Sequence, residues 1–201
     1  MCKICYGHYD SNGFLNEDYE GDNFMRGNVL VIVDPQNDFI NGKLGSARAM
    51  KVANKIAEEL LPKFRESNNY EIYVTQDWHN DIQLKSYDEL KTFGMHCNEK
   101  EEGSEIYYNV EYELEKVNCS VTYVKKETFS TDLDIKTYPI SITIVGFCTD
   151  ICVLAMACNL RRQYPSSKIR VNPNYCCGTT EENEEAAIKV LKSMGFITEE
   201  K

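Results

Sequence analysis

Positive charge is scarce in this sequence: 22 lysines and arginines stand against 32 aspartates and glutamates, for a formal net charge of −10. A nucleic-acid groove needs clustered Lys and Arg to displace counterions, and an anionic membrane surface attracts the same residues. Nucleic acid and membrane are therefore argued against as partners, and a small neutral or cationic substrate suits the balance better. No apolar run reaches the length of a membrane span, and the first residues lack the apolar stretch of a secretory signal. Internal repeats and low-complexity tracts are missing. Histidine is rare, with three in 201 residues, so any Cys–His or metal chemistry has few residues to draw on.

Cysteine, by contrast, is abundant. Nine cysteines suggest a disulfide framework, yet the count is odd and the chain is too long for a small stapled domain. Several cysteines also lie inside apolar segments, where a reduced thiol behaves as a small hydrophobe. A reducing, cytoplasmic setting is expected. The length suits one domain with a sizeable core. The expected organisation is a partly irregular N-terminal extension over residues 1–26 and a single domain over residues 27–201. Within the extension, Cys2, Cys5 and His8 form a fragment of a zinc-knuckle spacing, but no second pair follows, and they read as incidental residues of a tail.

From Asn28 the text becomes regular. "NVLVIV" is a continuous apolar run of the kind a strand buried on both faces requires. Further strands are expected at "YEIYVTQ" from Tyr70, "CSVTYVK" from Cys119, "ISITIVGF" from Ile140 and "SKIRVNP" from Ser167. Helical character covers Ser46 to Phe64, with Met50, Val52, Ile56, Leu60 and Leu61 as an inner face. A second helix runs from Asp150 to Tyr164 behind Thr149 as N-cap, and a third from Thr180 to Ser193, followed by Gly195. Alternation of strand and helix implies an α/β fold: a mainly parallel β-sheet flanked by helices on both faces. Residues 80–116 form the longest stretch without clean periodicity, and a loop of that length in a compact domain is usually functional.

In an open parallel sheet, ligands bind beyond the carboxyl ends of the strands. Asp34 follows the first strand, Asp77 and His79 the second, Lys125 and Lys126 the third, and Cys148 and Cys152 the fourth. Four strand ends thus deliver ionisable or nucleophilic groups to one edge. Cys152 falls in the first turn of a helix, where free N–H groups and the dipole lower a thiol pKa. An inert buried thiol would satisfy the same position. Cys148 precedes the developed dipole, and Cys158 lies deeper in the helix. Asp77, His79 and the later His96 make a three-ligand set suited to Zn²⁺, Fe²⁺ or Mn²⁺. With the histidines so used, Asp34 is the candidate base for a thiol. The pair Cys176–Cys177, after the fifth strand, reads as structural.

Taken in order, "VIVDPQNDF", "VTQDWH", "MHCNEKEEGSEI", "VKKETFS", "GFCTDICV" and the late "CCGTT" resemble the isochorismatase-like cysteine hydrolases, and within them the nicotinamidase branch. The likeness spans Asn28 to about Phe196. It implies an Asp–Lys–Cys triad, matched here by Asp34, Lys126 and Cys152. Lys126 is preferred to Lys125 because it stands three residues before Phe129. The resemblance also implies a cis peptide at Phe147–Cys148 and an oxyanion hole formed by the N–H groups of Cys148 and Cys152. The metal ligands carry over as Asp77, His79 and His96, with Glu89 matching a fourth ligand of some members. One divalent transition metal is therefore expected, Zn²⁺ first, with Fe²⁺ or Mn²⁺ as alternatives. In such proteins the ring nitrogen of nicotinamide meets the metal between aromatic side chains, matched here by Phe39, Phe93 and Phe129, with Gln36 near metal-bound water.

The activity implied is hydrolysis of nicotinamide to nicotinate and ammonia through a Cys thioester, as in NAD salvage. Two segments depart from the family pattern, "TFGMHC" and "NEKEEGSE", and both bear on substrate identity. Hydrolysis of another small amide, a ureido or carbamoyl compound, is the alternative on the same fold, although such relatives generally lack the metal set. A non-catalytic binding protein is a further alternative, but no triad member is lost. Isochorismatases proper lack a cysteine at the nucleophile position. The partner implied is a small-molecule substrate, and a homo-oligomer stays open because the sequence is silent on oligomeric state.

Overall fold

The computed structural model describes residues 26–136 and 138–198. The N-terminal extension, with Cys2, Cys5 and His8, lies outside the described residues except for Arg26, which opens the first strand. Six strands form one parallel sheet: β1 (Arg26–Val33), β2 (Tyr70–Asp77), β3 (Ser120–Lys126), β4 (Tyr138–Phe147), β5 (Lys168–Cys177) and β6 (Ile197–Thr198), in the order β3-β2-β1-β4-β5-β6. β1 is central, paired with β2 on one side and β4 on the other. That position explains its sequence, since Val29 to Val33 are all buried and no polar face is left to encode. β3 is an edge strand whose residues are exposed or half-buried until Lys126.

The helices are α1 (Asn37–Ile40), α2 (Ala47–Lys55), α3 (Asp88–Phe93), α4 (Tyr108–Leu114), α5 (Leu154–Gln163) and α6 (Glu181–Ser193). The chain steps outward from β1 to β2 to β3, returns to β4 beside β1, and then steps the other way to β5 and β6. Right-handed crossovers in opposite directions put the helices of the two halves on opposite faces of the sheet. The reversal opens a crevice beyond the carboxyl ends of β1 and β4, where the register pairs Val33 with Gly146. Among the described residues, no helix is long and apolar enough to cross a membrane.

Several sequence expectations need correction. Ser46 caps α2 by accepting from the N–H of Ala49, and this register turns Ala49, Ala53, Ile56, Ala57 and Leu60 inward. Met50 lies one step round the helix and is 39% exposed, so it is no part of the inner face. The α-helix passes into a π turn at Ile56–Leu60 and a 3-10 turn at Leu61–Phe64, next to Pro62, which has no N–H to continue the ladder. β5 runs ten residues, so Cys176 and Cys177 end the strand rather than follow it. A register shift against β4 between Ile144 and Gly146 accommodates the segment holding Pro173. Residues 80–116 are not one loop, because α3 and α4 lie within them.

Candidate active site

Asp34 leaves β1 with a left-handed backbone, φ 47°, a conformation Asp tolerates better than most residues. Its N–H donates to the Thr75 carbonyl at 3.1 Å and lies 3.2 Å from Oγ1, while the Thr75 hydroxyl donates to Asp34 Oδ1 at 2.7 Å. Lys126 ends β3, two strands away from β1. Its stem spans β2, and Nζ lies 2.8 Å from Asp34 Oδ2, 3.1 Å from Asp77 Oδ1 and 3.7 Å from Cys152 Sγ. The ammonium and the Asp34 carboxylate form a fully buried ion pair. Strand alternation sends the neighbouring Lys125 elsewhere, 3.3 Å over the Trp78 ring. Of the two candidate lysines, the structure brings only Lys126 to Asp34 and Cys152.

The turn that carries Cys148 and Cys152 depends on Gly146. Its φ is +119°, and a Cβ there would sit 2.1 Å from the Val33 carbonyl oxygen, so only glycine lets β4 approach β1 this closely. The Phe147–Cys148 peptide is cis, as the resemblance implies. The N-cap position is Cys148, not Thr149, and Thr149–Val153 form a π turn that feeds α5. The N–H groups of Ile151 and Val153 both donate to the Cys148 carbonyl at 3.1 Å, so backbone bonds close this turn where a Thr149 cap was expected. Thr149 Oγ1 is buried without a partner.

The electrostatics also depart from the sequence reading. Burial pushes the Cys152 thiol well above its ordinary value, and nearby Lys126 only partly opposes this. Desolvation thus outweighs any lowering by the turn, and the resting sulfur keeps its proton. Burial also raises Asp34 above the usual carboxylate value, more than the Lys126 ammonium lowers it. For Lys126, burial works against the charge, but Asp34, Cys152 and Asp77 together hold its pKa well above the ordinary one. The result is a fixed cation beside a carboxylate whose proton affinity burial has raised.

Asp77, His79, Glu89 and His96 form one cluster, with a ligand-type atom from each lying within 4.8 Å of the others. Asp77 Oδ2 is 3.0 Å from Nε2 of both His79 and His96, and Glu89 Oε1 is 3.8 Å from His96 Nε2. His96 Nδ1 faces the Gly94 carbonyl at 2.9 Å, which assigns a proton to Nδ1 and turns Nε2 toward the cluster. Burial disfavours a charged His96, but Asp77 and Glu89 outweigh it and raise the imidazole to about 9. Asp77 itself is held well below the usual range: burial opposes its charge, but His79 and His96 overcome it. The cluster therefore calls for positive charge at its centre, and two imidazoles with two carboxylates fit a divalent transition metal.

A cavity of about 240 Å³ opens between these two clusters. Cys152, Cys148, His96 and Glu89 line it, and Phe39, Phe93 and Phe129 wall it. Phe39 is buried with its ring edge toward His96, at 5.6 Å between centroids, whereas Phe93 and Phe129 are partly exposed. Gln36, expected near metal-bound water, is fully buried and is not among the residues that line the cavity. Its Nε2 donates to the carbonyls of Asp77 and Ser104, and its Oε1 accepts from the Asp77 N–H, so the side chain braces the main chain. A larger groove along α2, about 390 Å³ beside Met50, Lys51 and Glu58, holds no nucleophile.

Three supporting residues escape a reading of the sequence. Thr75 holds Asp34, as described. Asp38 accepts from the Cys97 N–H at 2.8 Å and so fixes the residue after His96. Asp150 accepts from the Thr179 N–H and hydroxyl at 2.8 and 2.5 Å, which ties the turn of Cys148 and Cys152 to a cavity wall. All three act between segments distant in sequence; only the motif neighbourhood of Asp38 and Asp150 hints at them.

Residues 28–200 match the model of the isochorismatase domain, and the chain belongs to that family. Fold and sequence together define an isochorismatase-like hydrolase. Among solved structures, it is similar to nicotinamidase PncA from Bacillus subtilis, with 26% identity and a TM-score of 0.72 over 86% of this chain and 99% of that one. Pyrazinamidase of Pyrococcus horikoshii in complex with zinc shares the fold at 23% identity and a TM-score of 0.69, over 87% and 99% of the two chains. N-carbamoylsarcosine amidase from Thermoplasma acidophilum does so at 18% and 0.67, over 86% and 95%. No curated protein sequence matches the chain.

Proposed function

We propose that this protein is a metal-dependent cysteine amidohydrolase that converts nicotinamide to nicotinate and ammonia in the cytoplasm, a reaction of NAD salvage, with residues 27–201 acting as one domain. One observation carries the reading: Asp34 and Lys126 close on Cys152 beside an aromatic-walled cavity whose other end is formed by His96 and Glu89. A cavity of about 240 Å³ suits a single small ring, and similarity to the Bacillus subtilis nicotinamidase supports the choice of substrate.

In this scheme the carboxamide carbon lies against Sγ. Asp34 takes the Cys152 proton as sulfur attacks, so the high thiol pKa is no barrier, because proton and bond move together. The developing oxyanion collects at the N–H groups of Cys148 and Cys152, where one such donor is worth ~3–4 kcal/mol. Asp34 then gives its proton to the departing ammonia, leaving a thioester. It next takes a proton from the water that attacks the thioester, and returns that proton to sulfur. Lys126 holds Asp34 and the developing thiolate by charge. Asp77, His79, His96 and Glu89 would hold a divalent metal, Zn²⁺ first and Fe²⁺ or Mn²⁺ next, which when bound would supply a Lewis acid to polarise the ring.

The test is ammonia release from a panel of nicotinamide, pyrazinamide and carbamoyl compounds, with and without chelator, alongside metal analysis of the purified protein. Chelator-sensitive turnover of the aromatic amides is expected. Turnover of carbamoyl compounds alone, indifferent to chelator, would overturn both the substrate and the metal assignment.

A further inference from the structure

The proposed reaction uses one sulfur, yet two face the cavity. Among the described residues lining it, Cys148 and Cys152 are the thiols. Cys148 caps the π turn Thr149–Val153 and Cys152 lies within it, and the bonds that close the turn on the Cys148 carbonyl tie both to one piece of backbone. Cys148 is among the groups whose charge bears on the Cys152 thiol, which places the two sulfurs in one neighbourhood. Cys148 is half-buried and lines the cavity wall. Cys177, a third thiol nearby on β5, is buried and pairs through its backbone with Phe147.

We propose that Cys148 and Cys152 form an oxidation site within the substrate cavity, where peroxide converts the two thiols to a disulfide and so withdraws the nucleophile. The proposal rests on the reading of Cys152 as a thiol deprotonated by Asp34. Asp34 takes the Cys152 proton, sulfur attacks one peroxide oxygen, and the O–O bond breaks. The departing hydroxide collects the proton from Asp34 as water, leaving a sulfenic acid on Cys152. The Cys148 sulfur then attacks Cys152 Sγ, the S–O bond breaks, and the hydroxyl leaves as water with the Cys148 proton. In sum, two thiols and one hydrogen peroxide give one disulfide and two waters. Lys126, 3.7 Å from Sγ, favours the anionic sulfur in this attack as it does in attack on an amide. Without Cys148 at hand, the sulfenic acid has no partner in the cavity wall and is open to further oxidation.

The experiment exposes the full-length protein to a modest excess of hydrogen peroxide, alkylates the remaining thiols and maps peptides. Trypsin releases residues 137–161 as one piece carrying Cys148, Cys152 and Cys158. In the wild type this peptide is expected to lose two hydrogens and the alkylation of Cys148 and Cys152, with dithiothreitol restoring both. In Cys148→Ser, the same exposure is expected to leave sulfinic acid on Cys152 that dithiothreitol does not reverse. A Cys158→Ser control behaves as wild type. Sulfinic acid on Cys152 of the wild type, a bridge to Cys177, or a Cys148→Ser variant as reversible as wild type would each overturn the proposal. Nicotinamide turnover by untreated protein is scored separately. A Cys148–Cys152 disulfide without turnover refutes the proposed reaction alone, and turnover without that disulfide refutes the oxidation site alone.

Discussion

Replacing Lys126 by Met separates the roles of the buried cation most clearly. The ammonium lies 3.7 Å from Sγ of Cys152 and 2.8 Å from Asp34 Oδ2, with both ends of the ion pair buried. Two unit charges ~4 Å apart interact by about 4 kcal/mol at the effective dielectric that describes protein sites best. Proton transfer moves the negative charge from Asp34 to sulfur beside the same ammonium, so losing Lys126 acts first on the base: Asp34 holds its own proton more firmly and is less ready to take the thiol's, and an interaction of about 4 kcal/mol corresponds to roughly 10³-fold in kcat/KM. Stability falls too, because Asp34 and Asp77 lose their shared cation, and breaking such a buried arrangement costs ~3–5 kcal/mol. The sign with pH follows from Asp34. Its folded pKa already lies above the ordinary 3.8, and removing the lysine raises it further, so the folded state holds its proton more firmly than the unfolded chain. The stability deficit is therefore full above the folded pKa of Asp34 and shrinks as pH falls through it toward the unfolded value. The assays are ammonia release against nicotinamide concentration and urea unfolding at several pH values. Lys125→Met, which loses only a contact over Trp78, serves as the control and should stay near wild type. A Lys126→Met enzyme within tenfold of wild type, or a Lys125→Met enzyme equally impaired, would refute the reasoning.

Two further outcomes follow from the same geometry. Thr75→Val removes the hydroxyl that donates to Asp34 Oδ1 at 2.7 Å, a bond that favours the charged carboxylate. The acid limb of the kcat/KM profile, which rises as Asp34 loses its proton, should move to higher pH, and an unmoved limb would mean that Asp34 is not the base. Gly146→Ala must push a Cβ away from the Val33 carbonyl at 2.1 Å from a backbone with φ +119°, which should cost roughly 3 kcal/mol or more. An unchanged urea midpoint would show that the approach of β1 and β4 is not as close as described.

Much of the architecture is legible in the sequence because burial writes itself into strands. β1 is central and reads as an unbroken apolar run, and strand ends then lead directly to Asp34, Asp77, Lys126 and the turn of Cys148 and Cys152. Legibility fails where little is buried. α3 has one buried residue, Leu90, and so shows no stripe. α4 buries Val110 and Leu114, a spacing of four that a closer reading of residues 80–116 could have caught. β6 has two residues and no pattern at all. Properties that depend on depth are also out of reach. The helix-terminus argument lowers the Cys152 pKa, but whether desolvation reverses that depends on how completely the turn is enclosed, which no local motif encodes. The bracing bonds of Gln36 are out of reach for a similar reason, since its partners, Asp77 and Ser104, come from distant segments.

Ammonia release from nicotinamide by Cys152→Ala tests the central claim most directly, because this change removes one sulfur atom from the cavity and leaves Asp34, Lys126 and the Asp77–His79–Glu89–His96 cluster in place. The account expects turnover to fall to background while bound metal stays stoichiometric; ammonia released at the wild-type rate would contradict it.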